Sequence, residues 1–160
     1  MRLNTLIRRV ERLRDDIVPL VKSVCERKTV ERWIVESNRE QLQSGKNANG
    51  VMMGGGVYSV MYRKVRARRG LPTDHVYLSF EGDLQNGMKV LYSDTGFSIV
   101  STDWKQRLVD EVMRTGYWPS SGYNAPEYGP VFGLTAEKKG ELARLIAPIV
   151  AGKFRNRLLR

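Results

Sequence analysis

The chain has 160 residues, of which 41% are hydrophobic and 28% charged, and its formal net charge is +10. This length suffices for one domain with its own core and is short for two. No run approaches the roughly 18 apolar residues that cross a bilayer. The N-terminus mixes apolar and charged residues, unlike a secretory signal, so we expect synthesis in the cytosol. The positive charge favours an anionic partner such as nucleic acid, a membrane surface or an acidic protein.

Helical periodicity dominates the N-terminal part, residues 4–43. Apolar side chains recur at helical spacing on both sides of Pro19, with charged side chains between them. Proline removes a backbone hydrogen-bond donor, so Pro19 should end or kink the helix. We expect two helices, or one long bent helix. Cys25 lies among the apolar positions and is expected to be a buried small hydrophobe.

Residues 44–56, SGKNANGVMMGGG, have the composition of a loop. Three consecutive glycines cost backbone entropy and disfavour regular structure. The loop is not a phosphate-binding P-loop, because Gly45 and Lys46 are followed by Asn47 and no strand precedes them. We expect a connector that is mobile or is ordered by a partner.

The body of the domain, residues 57–160, opens with a helix predicted from Tyr58 to about Arg69 and ended by Gly70. Its apolar stripe, which we predict to face the core, consists of Tyr58, Met61, Tyr62 and Val65. The remaining positions form the densest positive cluster in the chain: Arg63, Lys64, Arg66, Arg68 and Arg69. Two interpretations stay open: a solvated helix face, or a surface that faces nucleic acid or an acidic neighbouring subunit.

The segment Val76–Asp103 contains the clearest strand signal. Apolar residues alternate along two runs, in the order Met88, Val90, Tyr92 and then Phe97, Ile99. Ser93–Gly96 separates the runs, and Gly96 would supply a left-handed residue at the turn. Alternation of this kind predicts an antiparallel hairpin with one buried face. We therefore predict an α+β fold, with several helices packed on a small antiparallel sheet built around this central hairpin.

Two further helices follow the hairpin. Asp103 and Gln106 resemble a capping box, and Trp104 lies on the apolar side of the helix that this box opens. Thr135 should cap the last helix, which Pro148 should bend.

Between these helices, residues 117–134 are rich in proline, glycine and aromatic residues. Loops of more than about 12–15 residues are usually functional or disordered. Aromatic side chains are enriched at protein interfaces. The candidates for a subunit interface are Trp118, Tyr123, Tyr128 and Phe132.

Residues able to perform catalysis are sparse. The only histidine is His75, beside Asp74, and there is one cysteine, which excludes the usual structural zinc sites within one chain. Glu81 and Asp83 could form a carboxylate pair, and with His75 they define an enzyme hypothesis. We rank this hypothesis last and expect no catalytic residue, no cofactor and no metal.

Several short motifs carry a resemblance over about residues 36–150. They are Tyr-Ser-x-x-Tyr-x-Lys from Tyr58, Gly-Asp-Leu from Gly82, Ser-Thr-Asp-x-Lys from Ser101 and Phe-Gly-Leu-Thr from Phe132. In this order the chain resembles small virion proteins of tailed bacteriophages and, more loosely, the tail-completion and neck proteins that join capsid to tail. Glu81 departs from the pattern, which has threonine there.

The resemblance implies a non-enzymatic structural protein of the phage neck or tail region, of the tail-completion or head-tail connector type. Such a protein would assemble in the host cytoplasm and reside in the virion. It would form an oligomeric ring by contacts with copies of itself and with portal, neck or tail proteins. Packaged DNA would be a further partner, and no membrane would be involved. The alternative is a basic nucleic-acid-binding protein that uses residues 63–69 and the basic C-terminus.

Overall fold

Six helices and one β-hairpin make up the part of the chain that the structure describes. The structure is a computed structural model, and it describes residues 15–76, 78, 83–115 and 127–158. Helix α1 covers residues 15–25 of this part. The other elements are α2 (Lys28–Gln43), a short 3₁₀ turn (Met53–Gly56), α3 (Val60–Arg68), α4 (Asp83–Asn86), β1 (Met88–Tyr92), β2 (Phe97–Ser101), α5 (Gln106–Thr115) and α6 (Ala136–Leu158). This arrangement confirms the predicted α+β class.

The hairpin has the predicted register and buried face. Strands β1 and β2 are antiparallel, and Val90 lies opposite Ile99. The side chains of Met88, Val90 and Ile99 are buried, because alternate residues of a strand point to one side. The prediction for Gly96 is wrong, since its φ lies outside the left-handed range. The Ser93 N–H donates to the Gly96 carbonyl at 2.9 Å and closes the turn.

The core lies between the hairpin and helices α2, α5 and α6. Its residues include Val30, Ile34, Leu42, Met53, Val90, Val109, Val112, Val131 and Leu134. Cys25 is buried, as predicted. The Tyr92 hydroxyl donates to the Cys25 carbonyl at 2.7 Å and joins the sheet to the end of α1.

The N-terminal part forms two helices, but the break between them is not at Pro19. Helix α1 continues through Pro19, and the chain turns after Cys25. The buried side chains of Leu20 and Val24 anchor the residues that follow the proline, so its missing N–H does not end the helix. The predicted helical positions before residue 15 lie outside the described residues.

The glycine-rich segment, residues 44–56, is held in place by contacts with other parts of its own chain. The Ala48 N–H donates to the Pro130 carbonyl at 2.7 Å, and the Gly54 N–H donates to the Glu127 carbonyl at 3.0 Å. Met53 is fully buried. These contacts satisfy backbone groups on both segments, which corrects the prediction of a connector ordered by another subunit.

The described end of the aromatic segment takes part in the same packing. Phe132 is 5% exposed and belongs to the core, and Tyr128 packs against the core while partly buried. The burial of Phe132 corrects its prediction as a subunit-interface residue, whereas the role of Tyr128 stays a prediction. Trp118 and Tyr123 lie outside the described residues.

The predicted start of α6 is confirmed, whereas α5 begins three residues after Asp103, the residue predicted to open it. The Asp103 carboxylate accepts from the Lys105 N–H at 2.8 Å, and the Thr135 hydroxyl accepts from the Lys138 N–H at 3.3 Å. Trp104 is 73% exposed, because it precedes the first residue of α5 and does not share its helical register. Pro148 lies inside α6. Among the described residues, no helix is both long and apolar enough to span a bilayer.

Candidate interaction surface on helix α3

Helix α3 has well-defined ends. The Ser59 hydroxyl accepts from the Tyr62 N–H at 3.4 Å and caps the N-terminus. Gly70 follows the last turn with a φ of +66°, a conformation that glycine adopts without strain. The predicted helix is thereby confirmed to within two residues of each end.

Arg66 determines which side of α3 faces the rest of the protein. Its side chain is 1% exposed, and its Nε donates to the Pro72 carbonyl at 2.8 Å. The guanidinium lies 4.6 Å from the ring centroid of Tyr58 and 5.9 Å from that of Tyr62. Cations within about 6 Å of an aromatic face are attracted by the ring electrons. Arg66 is therefore an internal anchor, which corrects its prediction as an anion-facing residue.

The burial of Arg66 turns the predicted apolar stripe partly outward. Arg66 lies over the ring of Tyr58, and Tyr62 contacts Tyr58 edge-on while its own side chain stays 38% exposed. The row beside them, Met61 and Val65, points away from the chain, and Met61 is 78% exposed. The prediction of a buried stripe is therefore right for Tyr58 and wrong for Met61, Tyr62 and Val65.

Exposed cations form a second row beside this apolar row. Lys64 and Arg68 are four residues apart and are each displaced by three positions from Met61 and Val65, so the two rows are neighbours on the helix surface. Both cations are exposed. The described residues provide no ion-pair partner for either of them. We define the α3 surface as seven exposed residues of the helix and its C-cap: Val60, Met61, Arg63, Lys64, Val65, Arg68 and Arg69.

The residues around the α3 surface add to its positive charge and to its exposed apolar area. The sequence from residue 41 to residue 73 contains no aspartate or glutamate. The apolar character extends into the preceding loop, where Val51, Met52 and Val57 are also exposed. Val57 lies three residues before the first residue of α3, so this loop leads directly into the helix. Sequence reasoning found the cations but missed the loop residues, although the absence of acids was visible in the sequence.

His75, the candidate catalytic histidine, has a structural environment. Its Nδ1 lies 2.7 Å from Asp74 Oδ2, and its Nε2 contacts the Gln43 carbonyl. The hydrogen bond to His75 lowers the pKa of Asp74. The side chains of Glu81 and Asp83 lie outside the described residues, so the proposed carboxylate pair cannot be placed. Within the described ranges, no three histidine, cysteine or carboxylate side chains converge as metal ligands.

A polar cleft of about 420 Å³ lies at the start of α6, where it meets the end of α2. Lys138 Nζ lies 3.1 Å from Glu141 Oε2 and 3.7 Å from Glu40 Oε2. The hydrogen bond to Glu141 raises the pKa of Lys138. Lys138 in this cleft is thus paired with acids, whereas Lys64 and Arg68 on the α3 surface have no ion-pair partner among the described residues.

Comparisons of the chain with protein-family models, with curated proteins and with solved structures find no match.

Proposed function

We propose that the protein is a non-enzymatic structural subunit of the neck or tail region of a tailed bacteriophage, of the tail-completion or head-tail connector type. In this role it assembles into an oligomeric ring by protein–protein contacts. The sequence motifs that resemble such proteins support the proposal. The structural observation that carries it is the α3 surface, on which exposed apolar side chains stand beside Lys64 and Arg68, two exposed cations without an ion-pair partner among the described residues.

Exposed apolar side chains in a contiguous group are typical of interaction sites. Val60 and Met61 are 62% and 78% exposed although they lie in a regular, capped helix. A rim of charged side chains around an apolar centre is the usual composition of a protein interface. Such a surface suits a contact with another protein of the assembly.

The proposal is tested on purified particles of a phage that encodes the chain. Quantitative mass spectrometry should find the protein at a fixed copy number per particle. Native mass spectrometry of the protein mixed with portal, neck and tail proteins of that phage should show a defined assembly. A chain that is absent from particles and monomeric in every mixture would refute the proposal.

A second candidate function, nucleic-acid binding, is favoured by one observation. Four exposed cations lie within seven residues, at Arg63, Lys64, Arg68 and Arg69, in a stretch without acids. Lys and Arg side chains bind phosphates with an affinity that falls steeply as salt rises. Binding of a DNA duplex, measured by fluorescence anisotropy at low and high salt, tests this function. Replacement of Arg63, Arg68 and Arg69 by alanine should then abolish binding.

A further inference from the structure

We infer that the α3 surface binds an acidic amphipathic helix of a different protein, in which an apolar row lies beside a row of Asp and Glu. This inference rests on the proposed function, because it names the partner chemistry of an assembly surface. It is carried by the two neighbouring rows of α3, Met61–Val65 and Lys64–Arg68.

The spacing of the two rows on α3 indicates the secondary structure of the partner. Residues four apart on a helix lie about 5–6 Å from one another, so each row of α3 offers two contacts at that separation. A second helix presents its own side chains in rows of the same spacing, and such rows fit into one another. The flexible side chain of Met61 adapts to a range of apolar partners. A helix is therefore the element whose periodicity matches this surface.

The positive charge of the α3 surface indicates which residues the partner helix carries. Lys64 and Arg68 are exposed and have no ion-pair partner among the described residues. Arg63 and Arg69 are exposed on the same helix, and no acid occurs from residue 41 to residue 73. A neutral or basic helix would gain nothing from these cations, whereas Asp and Glu beside the apolar row would pair with them.

A second copy of this chain fits the surface less well. Ile17 and Val18 are exposed beside Asp15 and Asp16. However, residues 1–18 carry five arginines (Arg2, Arg8, Arg9, Arg12 and Arg14) against three acids (Glu11, Asp15 and Asp16). The acids near the start of α6 already surround Lys138. Because the chain has a net charge of +10, we expect the acidic partner to be a different protein.

DNA and membranes also fit less well. Phosphate contacts use the cations but leave Val60 and Met61 exposed to water. Helices that lie in the membrane interface bury a continuous apolar face that is typically rich in Trp, Phe and Leu. The α3 surface has none of these residues, and its apolar row is only two side chains long.

The test measures binding of a fluorescent helical peptide to the full-length protein. The peptide, of about 18 residues, carries leucines in one i, i+4 row and glutamates in the adjoining row. A matched peptide has glutamine in place of every glutamate. The protein variants are the apolar pair M61S/V65S and the cationic pair K64Q/R68Q. The control variants are M113S and K89Q/R107Q, which change exposed residues of the same types on α5 and the hairpin.

We expect the acidic peptide to bind and the glutamine peptide to bind at least about tenfold more weakly, since two or more exposed charge pairs are lost. K64Q/R68Q should weaken binding about threefold to thirtyfold and remove most of its salt dependence. M61S/V65S should weaken binding about tenfold or more without changing the salt dependence. The control variants should bind like the wild-type protein.

Several results would overturn the inference. Equal binding of both peptides, or no loss in either α3 variant, would show that this surface does not recognise an acidic helix. Self-association that M61S/V65S abolishes, measured by light scattering, would assign the surface to a second copy. Binding of duplex DNA or of anionic phospholipid vesicles that K64Q/R68Q abolishes, with no binding of the acidic peptide, would assign it to that ligand. If the protein occurs in particles but both α3 variants assemble normally, the inference fails and the proposed function stands.

Discussion

Replacement of Asn47 by alanine should destabilise the protein by about 2–4 kcal/mol. The Asn47 side chain is 4% exposed and makes three hydrogen bonds to backbone groups. Its Nδ2 donates to the Tyr128 carbonyl at 2.9 Å, and its Oδ1 accepts from the Asn49 N–H at 2.9 Å and the Val51 N–H at 3.1 Å. Each such bond contributes about 1 kcal/mol, and backbone groups left buried without a partner cost more.

The measurement is equilibrium unfolding in urea or guanidinium, followed by circular dichroism. A loss of about 3 kcal/mol should lower Tm by about 6–12 °C in a chain of this length. Asn49→Ala is the matched control, because Asn49 is exposed and its backbone N–H keeps its bond to residue 47. The control should stay within about 0.5 kcal/mol of the wild-type protein.

Asn47→Asp separates the role of the Asn47 side chain as a hydrogen-bond donor from its role as an acceptor. It keeps an acceptor for the N–H groups of Asn49 and Val51 but turns an oxygen toward the Tyr128 carbonyl. It should therefore also destabilise the protein, by about 1–3 kcal/mol. If the free energy of unfolding of Asn47→Ala lies within about 0.5 kcal/mol of the wild-type value, the Asn47 side chain does not hold the glycine-rich segment to residues 127–134.

Three further predictions concern single side chains. Arg66→Ala should cost about 2–4 kcal/mol of stability because it removes a buried anchor, whereas Arg63→Ala, at an exposed position, should cost less than about 0.5 kcal/mol in the same chemical unfolding experiment. Gly129→Ala should lower Tm more than Gly70→Ala: both glycines have positive φ, but only at Gly129 would the added Cβ lie 2.5 Å from the Asn47 amide nitrogen. Burial raises the pKa of Tyr92 to about 12, whereas an unfolded tyrosine has a pKa of about 10. The folded state thus holds the phenolic proton more tightly, and the stability from this group is present below pH ~10 and is lost as the pH rises toward ~12. Tyr92→Phe should flatten that loss in pH-dependent unfolding and remove the last phase of a titration followed at 295 nm; an unchanged titration curve would contradict the assignment.

The elements that sequence reasoning recovered are those whose signal is local. Alternating apolar residues predicted the hairpin and its buried face, and Val90 and Ile99 pair across it as expected. Thr135 predicted the start of α6, because a cap depends on residues only three positions apart.

The packing of the two irregular segments depends on contacts between residues distant in sequence. The Asn47 amide donates to the Tyr128 carbonyl, 81 positions away. Glycine, asparagine and aromatic residues are common in loops of every kind, so composition indicated a partner-facing role for both segments. Nothing local distinguishes a loop that another subunit covers from one that the same chain covers.

The orientation of α3 was beyond sequence reasoning for a related reason. Periodicity shows that a helix has rows of similar residues, but it does not show which row meets the core. On α3 the buried residue is Arg66, which reaches the Pro72 carbonyl and the ring of Tyr58. A pattern that scores side chains by hydrophobicity places arginine outside and Met61 inside, which is the reverse of what the structure has.

This orientation bears on how the α3 surface would bind. A rotation of α3 by roughly one residue, about 100°, would bring Met61 and Val65 inward, but it would expose Arg66 and break its bond to Pro72. The anchor therefore holds the apolar row exposed before any partner arrives. A surface that is already ordered loses less conformational entropy on binding than one that must fold first. Arg66→Ala should consequently weaken partner binding even where the protein remains folded, although Arg66 itself is buried and out of a partner's reach.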